Sequence, residues 1–119
     1  MKNIKSFADA CKVLGLSSKA LPNVSELTKQ QAKGVVAHFK LMVIAEALND
    51  GWKPNWKDSS EWKYYPWFEI QSASGFRLDT VDYNCTDSIV GSRLCFKSRE
   101  LAEYAAKQFE DLYKQFFTL

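Results

Sequence analysis

The chain has 119 residues, 46% of them hydrophobic and 25% charged, with a net charge of +2. These proportions fit one globular domain with its own core and exclude a chain that is disordered throughout. So small a net charge gives no strong overall pull toward nucleic acid or anionic lipid. The distribution is uneven: residues 1–57 carry nine lysines against four acids, and residues 58–119 carry seven Lys or Arg against ten acids.

Ser6 to Leu14 reads as a short helix. Ser6 is placed to cap its N-terminus, and Asp9 to reach back toward it. Phe7, Ala10, Cys11 and Leu14 share one face, and Gly15 suits the left-handed stop. A connection with Ser17, Ser18, Pro22 and Asn23 leads to a second helix, which starts at Ser25 or Thr28 and runs to about Asn49. Thr28 and Gln31 form a capping box. Leu27, Val35, Phe39, Val43 and Ala47 trace a stripe that widens until the C-terminal half is apolar nearly all round, which places this helix at the centre of the fold.

The period then changes. Trp62, Tyr64, Phe68 and Ile70 alternate with Lys63, Tyr65, Trp67, Glu69 and Gln71, the pattern of a strand whose Trp62, Phe68 and Ile70 face the helices. Pro66 puts that strand at an edge or a bulge. Ser72 to Gly75 reads as a turn and Phe76 to Tyr83 as the returning strand, with a phase shift that predicts a bulge or an early strand end. Ile89 to Lys97 reads as a third strand. From Ser98 a single C-terminal helix carries Leu101, Ala105, Phe109, Leu112 and Phe116 on its buried stripe. The expected fold is α+β in a single domain, residues 1–119: two N-terminal helices, a three-stranded antiparallel sheet and a C-terminal helix.

One segment stands apart. Residues 52–68 hold seven aromatics, Trp52, Trp56, Trp62, Tyr64, Tyr65, Trp67 and Phe68, including all four tryptophans of the chain. Lys53, Lys57 and Lys63 are interleaved, with Asp58 and Glu61 partly cancelling them. Flat indole and phenol faces lose little rotamer entropy on binding and dominate protein hot spots. They also stack on bases while lysines hold phosphates. The bland alternative is a lid, in which the loop covers a sheet face and lysine stems lie over the rings. On the binding reading Trp52, Trp56, Tyr65 and Trp67 are the contacts, Lys53, Lys57 and Lys63 give electrostatic support, and Arg77 and Arg93 join them if the register allows.

No catalytic or metal-binding constellation accompanies this segment. His38 is the only histidine and sits mid-helix among apolar neighbours. Cys11, Cys85 and Cys95 are odd in number and lack zinc spacing, so they read as reduced thiols of a cytoplasmic protein. Asp79, Asp82, Asn84 and Asp87 resemble turn residues more than a calcium loop. No apolar run approaches the roughly 18 residues of a membrane span, and no secretory h-region is visible. The expectation is a non-enzyme without cofactor, metal or membrane attachment.

Four strings, "ACKVLGL" at 10–16, "IAEALNDGWKPNW" at 44–56, "KYYPWF" at 63–68 and "GSRLCFKSRELAEYAAKQFEDLYK" at 91–114, resemble short uncharacterised proteins of gut Bacteroidales bacteria and their phages or prophages. The resemblance implies a phage-associated or mobile-element protein acting inside a bacterial cell. It carries over no activity and no binding residues. It favours accessory roles, and the leading reading is a non-enzymatic domain that binds a macromolecular partner, more readily a protein than a nucleic acid, through residues 52–68. The alternatives are a single-stranded nucleic-acid-binding protein and a small enzyme with an unrecognised site.

Overall fold

The computed structural model describes residues 3–70 and 75–118. It is an α+β structure of four helices and a two-stranded antiparallel sheet. Helix α1 spans Phe7–Leu14, α2 Lys29–Asn49, α3 Arg99–Gln108 and α4 Glu110–Thr118; strands β1 and β2 span Lys63–Glu69 and Arg77–Asn84.

The helix ends follow local chemistry. The Ser6 hydroxyl accepts the Asp9 amide at 3.1 Å, and Asp9 in turn accepts the Lys5 amide at 2.9 Å. Hydrogen bonding from the Lys5 amide is the main reason that the Asp9 carboxyl sits below its usual range. Gly15 closes α1 at φ 71°, a conformation that costs a residue with a Cβ. Thr28 and Gln31 exchange both bonds of the capping box at 3.0 and 3.1 Å, so α2 starts at the later of the two expected positions.

The C-terminal half of α2 is the centre of the core. Leu41, Ile44, Ala45 and Leu48 are buried against Ala10 and Cys11 of α1, Val81 of β2, Phe96, and the α3–α4 residues Leu101, Ala102, Ala105, Phe109 and Tyr113. Burying each large aliphatic contributes about 1.5–3 kcal/mol. The N-terminal strand of chain is tied down by the Tyr104 hydroxyl, which donates to the Ile4 carbonyl at 2.6 Å, and by Gln108, which donates to the Lys5 carbonyl at 2.9 Å.

Three expectations are corrected. The sheet has two strands, not three. Residues 89–97 form a 3₁₀ turn at Ser88–Val90, a bend with Ser92 and Arg93 both near φ +60°, and one antiparallel bridge between Phe96 and Tyr64. Two successive left-handed residues cannot belong to an extended strand. Beyond the bridge, the Asn49 side chain takes the place of a strand neighbour, donating to the Cys95 carbonyl and accepting the Lys97 amide, both at 3.0 Å. Next, the C-terminal helix is two helices. Phe109, at φ −117° and ψ 31°, breaks the ladder, so that α3 packs on the hairpin and α4 turns onto α2. Finally, Trp62 and Ile70 are 51% and 50% exposed, because each lies just outside the ends of β1, where the alternation no longer governs side-chain direction.

Along β1 the expected alternation holds for Tyr64, Phe68 and Trp67 but not for Lys63, which is fully buried. Tyr64 and Phe68 pack on the core, Phe68 stacking on Phe76 at 4.7 Å and lying 5.0 Å from the Tyr113 ring. The bulge falls in β2: Trp67 pairs with Thr80 and Phe68 with Leu78, leaving Asp79 as the extra residue. The expected turn residues Ser72–Ser74 lie outside the described residues.

Candidate functional site

The segment between α2 and β1 begins where the chain leaves the helix through two left-handed residues, Asp50 at φ 46° and Gly51 at φ 87°. Its shape is held by its own polar groups. The Glu61 carboxylate accepts the Asn55 amide at 2.8 Å, Asn55 accepts the Lys57 amide at 3.0 Å, and Asp58 accepts the Ser60 amide and hydroxyl at 2.9 and 2.6 Å. The Ser60 hydroxyl is the main reason that the Asp58 carboxyl lies below its usual range.

The anchor of the segment is Lys63. Its side chain is 0% exposed, and its ammonium lies 3.1 Å from the Glu61 carboxylate and 3.2 Å from the Glu61 carbonyl oxygen. The Trp56 ring covers it at 5.2 Å from ammonium to centroid, a cation–π contact. A buried ammonium is tolerated only when paired and hydrogen-bonded, and all three interactions come from residues 56–61. Folding the loop over Lys63 therefore fixes Trp56.

Loop and helices together enclose a cleft of about 1040 Å³. Its apolar floor is Phe7, Cys11 and Leu14 of α1 with Phe39, Met42 and Val43 of α2. Trp52, Lys53, Pro54 and Trp56 form one wall. The exposed Glu46, Ser92 and Arg93 supply the polar margin, and the buried Asn49 and Cys95 also line the cleft. A volume near the top of the usual ligand-site range, an apolar floor and a few polar groups are the general features of a binding cleft. Trp52 is half-buried in the wall, whereas Trp56 is 47% exposed.

Three residues singled out from the sequence, Trp52, Lys53 and Trp56, thus converge on one cleft. Lys57 is exposed on the same loop but does not line it, and Lys63 is turned inward and paired with Glu61. Tyr65 and Trp67 belong to the open face of the hairpin. Trp67 is 46% exposed, its ring 6.5 Å from that of Tyr65. Burial first, and the neighbouring Asp82 carboxylate second, push the Tyr65 phenol above its ordinary value. A further aromatic group lies at the end of the hairpin, where Trp62 meets Tyr83 edge-on at 4.8 Å and the Arg99 guanidinium sits 5.6 Å from both Tyr64 and Tyr83.

The helical floor was not legible as part of a site, because Phe7, Leu14, Phe39 and Met42 carry ordinary core periodicity. Arg93 was legible only conditionally, as a residue that joins the aromatic segment if the register allows. Arg77 goes elsewhere, pairing with Glu69 at 2.6 Å.

The nucleophilic and titratable groups have structural settings. His38 Nε2 donates to the Ser92 carbonyl at 3.0 Å, and its ring stacks on Phe116 at 4.9 Å. Cys11, Cys85 and Cys95 are free and buried, and burial pushes the Cys95 thiol up to about 11. Among the described residues no group of three or more His, Cys, Asp or Glu is placed to hold a metal ion, and no helix is long and apolar enough to cross a membrane. No family model, curated protein or solved structure matches this chain.

Proposed function

We propose that this chain is a non-enzymatic accessory domain that binds a protein partner in the cleft between the tryptophan loop and helices α1 and α2. The observation that carries the reading is the convergence of Trp52, Lys53 and Trp56 on an apolar floor built from residues of helices α1 and α2. Tryptophan held in a rigid wall is a strong hot-spot residue, since little freedom is lost when a partner covers it. The sequence resemblance to phage and prophage proteins supports an accessory role inside a bacterial cell.

The polar settings favour a protein over a single-stranded nucleic acid. A nucleic-acid groove needs cations tracking successive phosphates. Here Lys63 is buried on Glu61, and Lys57 neighbours the ionised Asp58.

Photo-crosslinking tests the proposal. A benzoylphenylalanine at position 53 in bacterial extract is expected to give a discrete protein adduct that Trp52→Ala abolishes, whereas position 33 on α2 gives none. An adduct from position 33 alone, or one from position 53 that ignores Trp52→Ala, would refute it.

A further inference from the structure

We infer that the cleft selects a protein segment in which a large apolar side chain is flanked by carboxylates. The inference rests on the cleft being the docking site and adds the chemistry of its occupant. Two cations stand at the margin, Lys53 from the loop and Arg93 from the bend after the 3₁₀ turn. Both side chains belong to exposed residues, and neither has an ion-pair partner among the described residues. Lys63 is by contrast paired with Glu61, while Lys57, which likewise has no ion-pair partner among the described residues, does not line the cleft. The one acid of the margin, Glu46, leaves a net charge of +1 across the three.

Arg93 reaches the margin through a costly backbone. It and Ser92 have φ of 61° and 60°, where a residue with a Cβ pays about 1–2 kcal/mol. The bend is enforced by its surroundings. Ser92 gives its carbonyl to His38, and a Cβ at Gly91 would lie 3.0 Å from the Ser88 carbonyl oxygen. Strain held by surrounding structure collects at ligand clamps, and here it falls on Arg93, which lines the cleft together with Trp52 and Trp56. Arginine pairs with a carboxylate through two parallel hydrogen bonds, so a carboxylate beside an apolar anchor would meet Arg93 and Lys53 while the anchor enters between Trp52 and Trp56.

The test is selection of displayed random 12-residue peptides on the full chain, on Lys53→Glu/Arg93→Glu, and on Trp52→Ala/Trp56→Ala. The wild type is expected to enrich peptides with Leu, Phe or Trp next to Asp or Glu. The charge-reversed variant is expected to enrich Lys or Arg in place of the acids, and to bind synthetic wild-type hits at least 10-fold more weakly by fluorescence anisotropy. A control change on α2, Lys33→Glu, should alter affinity less than twofold. Enrichment without an acidic bias, or hits indifferent to charge reversal, would overturn the inference and leave the cleft standing as an apolar site. No enrichment above the double-alanine variant would overturn the cleft reading as well. Tighter retention of a fluorescein-labelled dT12 than of the acidic hits, in low salt, would overturn both in favour of a polyanion.

Discussion

Glu61→Gln is the change that best isolates how the tryptophan loop is held. Glutamine keeps an oxygen for the Asn55 amide and for the Lys63 ammonium, so what is lost is the negative charge 3.1 Å from a fully buried cation. Removing one partner of a buried pair costs about 3–5 kcal/mol. The figure is lower here. The Glu61 side chain is 25% exposed, and Lys63 retains the Glu61 carbonyl and the Trp56 ring, so a loss of about 2 kcal/mol is expected. With a urea dependence of about 1.5 kcal/mol/M, the unfolding midpoint should fall by about 1.3 M. Lys63→Met removes the cation but keeps the apolar stem, and is expected to cost less than about 1 kcal/mol, because a packed apolar residue often replaces a buried ion without loss. In the Lys63→Met background Glu61→Gln should then cost less than about 0.5 kcal/mol, the coupling measured by a double-mutant cycle. Urea denaturation followed by far-ultraviolet circular dichroism gives all four stabilities. A Glu61→Gln midpoint within about 0.3 M of wild type, or equal costs in both backgrounds, would show that the Lys63–Glu61 pair does not hold the loop.

Asn49→Ala strips two backbone groups, the Cys95 carbonyl and the Lys97 amide, of their partner in a site where Asn49 is only 6% exposed. At about 1–3 kcal/mol per unsatisfied group, a loss of about 3 kcal/mol is expected by urea titration, and one under about 1 kcal/mol would remove Asn49 as the substitute strand neighbour. Alkaline pH should also destabilise. The Cys95 thiol is held at about 11 by burial against an ordinary thiol value of 9.0, so the unfolded chain gives up that proton first and stability is lost as pH rises from about 9 toward 11. Burial likewise holds the Tyr113 phenol above its ordinary value and adds to the same slope. Of the decline between pH 7.5 and 10.5, about 2 kcal/mol should be absent in Cys95→Ala, and parallel pH profiles for the two proteins would contradict the assignment.

The elements that could be read from the sequence are those whose signals are local. The Ser6, Thr28 and Ser98 caps and the Gly15 stop depend on residues within a turn of each other, and each forms, with Asp9 reaching back to the Lys5 amide. The bulge in β2 was visible as a phase shift. The missing third strand was not, because what displaces it lies far away in sequence. Asn49 reaches residues 95–97 across more than forty positions, and nothing in the Ile89–Lys97 pattern announces two left-handed residues. The break at Phe109 was hidden for a related reason. Its position belongs to the buried stripe of one continuous helix, and only the differing demands of α2 and the hairpin separate α3 from α4. Tryptophan density located the loop wall of the cleft. The floor is written in the same periodicity as any core.

Lid and contact surface are not opposed in this loop. Trp56 rests on a buried ammonium with one part of its ring and remains 47% exposed, so the interaction that roofs Lys63 also fixes what a partner would meet. A wall held before binding forfeits little entropy when covered, which is how such a cleft gains affinity. Consequently the residues around the tryptophans should separate into two kinds. Changes at Glu61 and Lys63 act on the loop's rigidity, so stability and binding should fall together. Lys53 and Arg93 have no ion-pair partner within the described fold, and their changes should alter binding while leaving the unfolding midpoint almost unmoved. If Lys53 or Arg93 variants unfolded as readily as Glu61→Gln, the two cations would be part of the scaffold, and the charge at the cleft margin would have a structural cause.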